Sequence, residues 1–212
     1  MGSGGQPCVQ DFIRMTIRQL SSEQFRNVVR DTVLLALDLV LINERDEVLV
    51  GCRRNAPARG WLFVPGGRVM KGETLASAFA RVVKQETGLD LALDRVVLQG
   101  VYDHIYEDSA FEDSAVSTQY VAIACRGFVD SDAPIACDGQ HESLEFVPIA
   151  GLLADPRVHP NTKAYFRENP ENLFLGGRAM PCDWRGGIAT RIEPASGLIM
   201  PKPGIENEDV SI

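Results

Sequence analysis

Apolar and polar positions alternate along the chain in patterns that delimit its elements. Ser21-Ser22-Glu23-Gln24 has the form of a capping box and predicts a short helix through about residue 30. Residues 33–42 are apolar except for Asp38, too short a run to span a bilayer, and predict a buried strand. Asn43-Glu44-Arg45-Asp46 supplies a turn before a second strand over 47–53, and 61–64 predicts a third, stopped by Pro65-Gly66-Gly67. Helical periodicity runs over 74–87, with Gly88 placed as a C-terminal stop. Strands follow near 95–106, 118–127 and 144–147, with helical patches near 149–153 and 161–167. The expected architecture is α+β: an α/β/α sandwich with a mixed β-sheet over 18–168. A flexible leader is expected over 1–17, and a tail over 169–212, where Gly, Pro and mixed residues end the periodicity.

The helix at 74–87 carries a polar residue where its pattern calls for an apolar one. At about 100° per residue, Leu75, Phe79, Val82 and Val83 form one stripe, and Glu86 falls in its middle. A carboxylate there must be paired, bind a cation, or reach out past the helix end. The negative C-terminal end of the helix dipole favours a cation beside it.

Composition narrows the function classes. Hydrophobic residues make up 45% of the 212 and charged residues 24%, with a net charge of −8. No Lys/Arg run is present, so a broad grip on nucleic acid is not expected, whereas a small anion held by a few arginines is compatible. The five cysteines are scattered without a CxxC, which suggests neither a disulfide framework nor a zinc site. With no secretory signal or membrane span in view, a cytoplasmic location is expected.

The glycines and the helix belong to one motif. Gly66-Gly67-Arg68-Val69-Met70-Lys71-Gly72-Glu73, then Arg81, Glu86, Gly88 and Leu89, resembles the Nudix box in spacing. The common box has three glutamates after its arginine; this chain has Val82, Gln85 and Glu86 at those places. The resemblance continues outside the box in Leu37-Asp38-Leu39-Val40, Gly51-Cys52-Arg53, Gly100-Val101-Tyr102-Asp103-His104, Gln119-Tyr120-Val121, Asp138-Gly139-Gln140-His141 and Val158-His159-Pro160-Asn161. Those segments look like the GDP-mannose mannosyl hydrolase branch, which lacks the same two glutamates.

That resemblance implies a Mg2+-dependent hydrolysis of GDP-mannose to GDP and free sugar, by water attack at the anomeric carbon with inversion. GDP-glucose is a second candidate substrate, Mn2+ a substitute cation, and a homodimer the expected assembly. It also implies roles. Gly66 (through its carbonyl), Glu86 and Gln140 would ligate the metal, all hard oxygen donors. Arg53 and Arg68 would face the diphosphate, Arg81 would orient the metal-site carboxylate, and His141 would be the general base. Asp38 and Tyr120 would stabilise or bind the sugar ring, with His104 nearby.

Read from the residues alone, each position keeps another meaning. Asp38 fits a hydrogen-bonded core carboxylate, Glu86 a side chain reaching out of a frayed helix end, and His141 a solvated loop histidine. Likewise, Tyr120 fits a core residue, Arg53 a surface charge, His104 a structural hydrogen-bond partner, and His159 a turn leading into a helix. Two other functions compete: a conventional Nudix pyrophosphohydrolase that attacks phosphorus, and a non-catalytic nucleotide-sugar sensor.

Overall fold

The structure, a computed structural model, describes residues 20–111, 115–136 and 141–168, with the backbone alone at 141 and 142. Every described residue belongs to one unit of the chain. The expected leader, the expected tail and Gln140 lie outside the described residues.

Local signals explain most element boundaries. Helix α1 (Ser22–Asp31) opens on Ser21, whose hydroxyl accepts from Gln24 N while the Gln24 side chain returns the bond. Helix α2 (Leu75–Thr87) has the same arrangement between Thr74 and Ser77. It ends on Gly88, whose left-handed φ of 73° suits glycine. Its buried stripe is Ala78, Phe79, Val82, Val83 and Glu86; Leu75, expected in that stripe, is 45% exposed because it opens the helix beyond the sheet-facing turns.

Strands β1 (Leu34–Ile42), β2 (Glu47–Arg53), β3 (Leu62–Phe63), β4 (Gly66–Arg68), β5 (Val96–Tyr106), β6 (Thr118–Phe128) and β7 (His141–Pro148) form one sheet. Its order is β3-β2-β1-β6-β5, with β4 on β1 and β7 on β2. The sheet is mixed: β1 and β6 run parallel and the other pairs antiparallel. β4 departs from the sequence reading, which expected a stop at Pro65-Gly66-Gly67. The segment instead pairs with the first half of β1, Asp38 opposite Gly66 and Ala36 opposite Arg68.

Because side chains alternate across a strand, β1 serves two cores. Leu37, Leu39 and Leu41 pack with Phe79, Val82 and Val83 of α2. Val40 packs on the other side with Leu152 of α3 (Ile149–Leu152), Ala164 of α4 (Pro160–Ala164) and Tyr165. Asp38 shares the side of Val40. The segment before α4 is stitched to β3, Leu62 N donating to Arg157 O and His159 N to Leu62 O, and this brings the end of the described chain against Asp38.

Candidate active site

β4 is thin because both of its faces are occupied. A Cβ on Gly66 would come within 2.5 Å of Asp38 Oδ1 and 2.8 Å of the Leu37 carbonyl oxygen. A Cβ on Gly67 would come within 3.1 Å of a Val82 methyl, on the α2 side. The adjacent glycines of the box therefore let one short strand lie between a carboxylate and a helix.

On the α2 side the charges are paired. Arg81 Nε donates to Glu73 Oε1 at 2.5 Å and Nη2 to Glu73 Oε2 at 2.8 Å. Arg81 also donates to the carbonyl of Arg68 and to Gln85 Oε1, and Met70 N donates to Glu73 Oε2. The loop between β4 and α2 is thereby tied to the helix. The hydrogen bonds from Arg81 hold the Glu73 carboxyl below its usual range, and Glu73 in turn raises the Arg81 guanidinium. Glu86 is 2% exposed, near enough to Arg81 to favour its charged form. Burial thus replaces the exposed, frayed position that the residue pattern also allowed.

On the opposite side five expected residues come together. Asp38 is 6% exposed and His104 2%. Tyr165 donates its hydroxyl proton to Asp38 Oδ2 at 2.5 Å, and His104 Nε2 lies 3.2 Å from the same hydroxyl. Burial pushes the Asp38 carboxyl up to about 6, against the opposing pull of Tyr165 and Arg53, and pushes His104 down to about 4. Tyr120 stands opposite Leu34 of β1 and His104 of β5, and burial raises its hydroxyl despite Arg68 and Arg53. The Arg53 guanidinium lies 5.7 Å from the centre of the Phe63 ring. Its Nε is buried without a hydrogen-bond partner among the described residues, a donor available to an anion. The Arg68 guanidinium covers the Phe25 ring of α1 at 3.8 Å. The backbone of His141 stands opposite Arg53 in the β2–β7 ladder.

Three residues of this region escaped the sequence reading. Tyr165 carries the bond to Asp38. Phe63 packs edge-on to His104 with ring centres 5.8 Å apart, and Tyr106 edge-on to Tyr120 at 6.2 Å. His159 does lead into a helix, accepting at Nδ1 from Asn161 N, but its ring also lies 5.3 Å from Phe63 and 5.6 Å from Tyr106. Burial, then His104 and Arg53, push it down to about 4. For Tyr165 the available signal was the Tyr165-Phe166 pair just after α4, and it could not be told from core packing.

The NUDIX domain family matches residues 33–168. The chain belongs to the Nudix family. It is 35% identical over 149 residues to the low-salt glycan biosynthesis protein Agl8 of Haloferax volcanii, spanning 69% of this chain and 88% of that protein. It is 39% identical over 61 residues to the 8-oxo-dGDP phosphatase NUDT18 of Mus musculus, 29% of this chain and 19% of that protein. In fold it is similar to a MutT NUDIX hydrolase from Burkholderia pseudomallei, with a TM-score of 0.53, 22% identity, and coverage of 64% of this chain and 97% of that one. As a Nudix hydrolase it acts on a nucleotide-linked substrate.

Nudix enzymes generally use a divalent metal such as Mg2+ or Mn2+. This chain's donors fit one hard cation better than several. Both Glu73 oxygens are engaged by Arg81, Val82 and Gln85 carry no charge, and Glu86 is the buried carboxylate of the box helix. Among the described residues, no group of three or more His, Cys, Asp and Glu could hold a metal ion. Nor is any helix among them long and apolar enough to cross a membrane.

Proposed function

We propose that this Nudix hydrolase cleaves GDP-mannose to GDP and free mannose by attack of water on the anomeric carbon. The observation that carries the reading is the single carboxylate, Glu86, buried in a box helix whose other glutamate positions are Val82 and Gln85. An array of several cations, with water driven onto phosphorus, needs more carboxylates than this. Breaking a glycosyl C–O bond needs only that the departing diphosphate be neutralised and the water deprotonated. Agl8 is named for glycan biosynthesis, which supports a sugar-linked substrate.

The residues divide the work. Arg53, with its buried spare donor, and Arg68 bind the diphosphate oxygens. A divalent cation held by the Gly66 carbonyl, Glu86 and Gln140 would supply further neutralisation of the departing charge. His141 takes a proton from the attacking water as its oxygen bonds to the anomeric carbon. The bond from that carbon to the diphosphate oxygen breaks, its electron pair leaves with GDP, and the configuration inverts. Asp38 and Tyr120 face the positive charge that develops on the ring. No protein acid is required for the leaving group, unlike the usual pair of carboxylates of inverting glycosidases. GDP-glucose is turned over by the same chemistry if the sugar pocket accepts it, and the enzyme works as a homodimer in the cytoplasm.

Hydrolysis in 18O-water tests the reading. Label in mannose is expected; label in a phosphate-containing product means attack on phosphorus and overturns it. Tight binding of GDP-mannose with no GDP release in Mg2+ would make the chain a sensor.

A further inference from the structure

The residues brought together around Asp38 include one from the far end of the domain, 127 positions away. Tyr165 follows α4 and is 5% exposed. Its ring meets Tyr102 edge-on with centres 4.8 Å apart, and its carbonyl accepts from Gln99 Nε2. Both ends of the residue are therefore held, and its hydroxyl has little freedom to choose other partners.

A tyrosine hydroxyl has one proton to give and lone pairs to accept with. The proton goes to Asp38 Oδ2, so the hydroxyl oxygen accepts from His104 Nε2, which must carry the imidazole proton. His104 Nδ1 then carries none, and at 3.7 Å from Asp38 Oδ2 it lies beyond hydrogen-bonding distance. The three groups form one directed chain, from His104 through Tyr165 to Asp38. The second carboxylate oxygen, Oδ1, is turned toward Gly66 of the box.

We propose that Tyr165 is a positioning residue, whose hydroxyl, itself oriented by His104, fixes the Asp38 carboxylate so that its other oxygen is aimed past Gly66 toward the reacting sugar. This inference rests on the proposed function for the role of Asp38, though not for the existence of the chain. A core carboxylate that merely needed a partner would be satisfied by any donor. Here a second residue orients the donor, and packing fixes both rings, as preorganisation requires. The tyrosine acts only through Asp38, so its loss should be felt only when Asp38 is present.

Tyr165→Phe, which keeps the ring and removes the hydroxyl, is assayed in the full chain alone and combined with Asp38→Asn. We expect kcat to fall by about 10- to 100-fold with KM changed less than about threefold, the size of a lost hydrogen bond to a charged group. In the Asp38→Asn background the same change should cost less than about twofold. Equal losses in both backgrounds, or no loss in either, would overturn the proposal and leave Tyr165 a packing residue. If Tyr165→Phe does not fold, the same cycle with His104→Gln reads the chain from its other end, with the same two outcomes. A readout independent of substrate is the 13Cγ resonance of Asp38 at fixed pH, which should move in Tyr165→Phe. Absence of GDP release from GDP-mannose in the wild type, with the resonance still moving, would sink the substrate and leave the chain standing; an unmoved resonance would sink the chain.

Discussion

On the α2 side of the sheet a charge is met by an opposite charge: Arg81 grips both oxygens of Glu73 and the carbonyl of Arg68. On the other side Asp38, also buried, is met by the neutral hydroxyl of Tyr165 and by a histidine that burial holds neutral. The first arrangement tolerates partial exposure and ties a loop to a helix. The second needs dry surroundings and leaves the carboxylate poised between its charged and neutral forms. β4 separates the two, one glycine facing each. The Nudix box thus supplies the scaffold and, in the proposed reading, the cation site, while most of the groups around Asp38 come from outside it.

The largest test of this division is His141, whose backbone aligns with Arg53 on β2. His141→Gln should lower kcat by about 10^2 to 10^4 if it is the general base, and an unchanged rate and pH profile would remove it from that role. Glu86→Gln should cost about 10^2 in kcat and raise the Mg2+ concentration needed for half-maximal rate. An untouched metal titration would move the cation site off the box helix.

The glycines separate the faces directly. Gly66→Ala drives a methyl into Asp38 Oδ1 and the Leu37 carbonyl, and should cost about 2–3 kcal/mol in denaturant unfolding. Stability within experimental error of wild type would mean that β4 does not lie against Asp38.

Acid titration reads the Asp38 face. Its carboxyl, raised to about 6, binds its proton more tightly in the folded state. Its contribution is full below about pH 4 and is lost as the pH rises through 6. His104 and His159, lowered to about 4, do the opposite: their contribution is full above about pH 6.5 and is lost as the pH falls through 4. Asp38→Asn removes the opposing contribution, so stability should climb more steeply between about pH 4 and 6, by about 1.4 kcal/mol per pH unit. Equal slopes in the two proteins would mean that Asp38 does not titrate there. The smallest effect belongs to Gly67→Ala, where a Val82 methyl has only to shift slightly; about 1 kcal/mol is expected in the same unfolding assay. A loss as large as that of Gly66→Ala would deny the asymmetry of β4.

The elements that the sequence reading found are those with local causes. Ser21 and Thr74 cap their own helices, Gly88 ends α2, and the Asn43-to-Asp46 turn joins β1 to β2. Helical periodicity placed Glu86 in the apolar stripe, because its neighbours at three and four residues are fixed by the helix, but it also allowed the side chain to reach out of the helix end; the packing of α2 on the sheet buries it. β4 was not legible, since a three-residue strand with two glycines has no period and forms only by pairing with β1.

Residue spacing carried the Nudix box, its two missing carboxylates, the apolar strand interrupted at Asp38, and the mixed α/β/α architecture. The partners of Asp38 were set by long-range packing. An apolar strand announces that its one carboxylate needs a donor, because burying it unpaired is costly. It does not say which of four tyrosines supplies the proton, since that depends on how the segment before α4 is stitched to β3. Short-range geometry is written in residue spacing, whereas the meeting of Asp38 with Tyr165 is set by packing across the whole sheet.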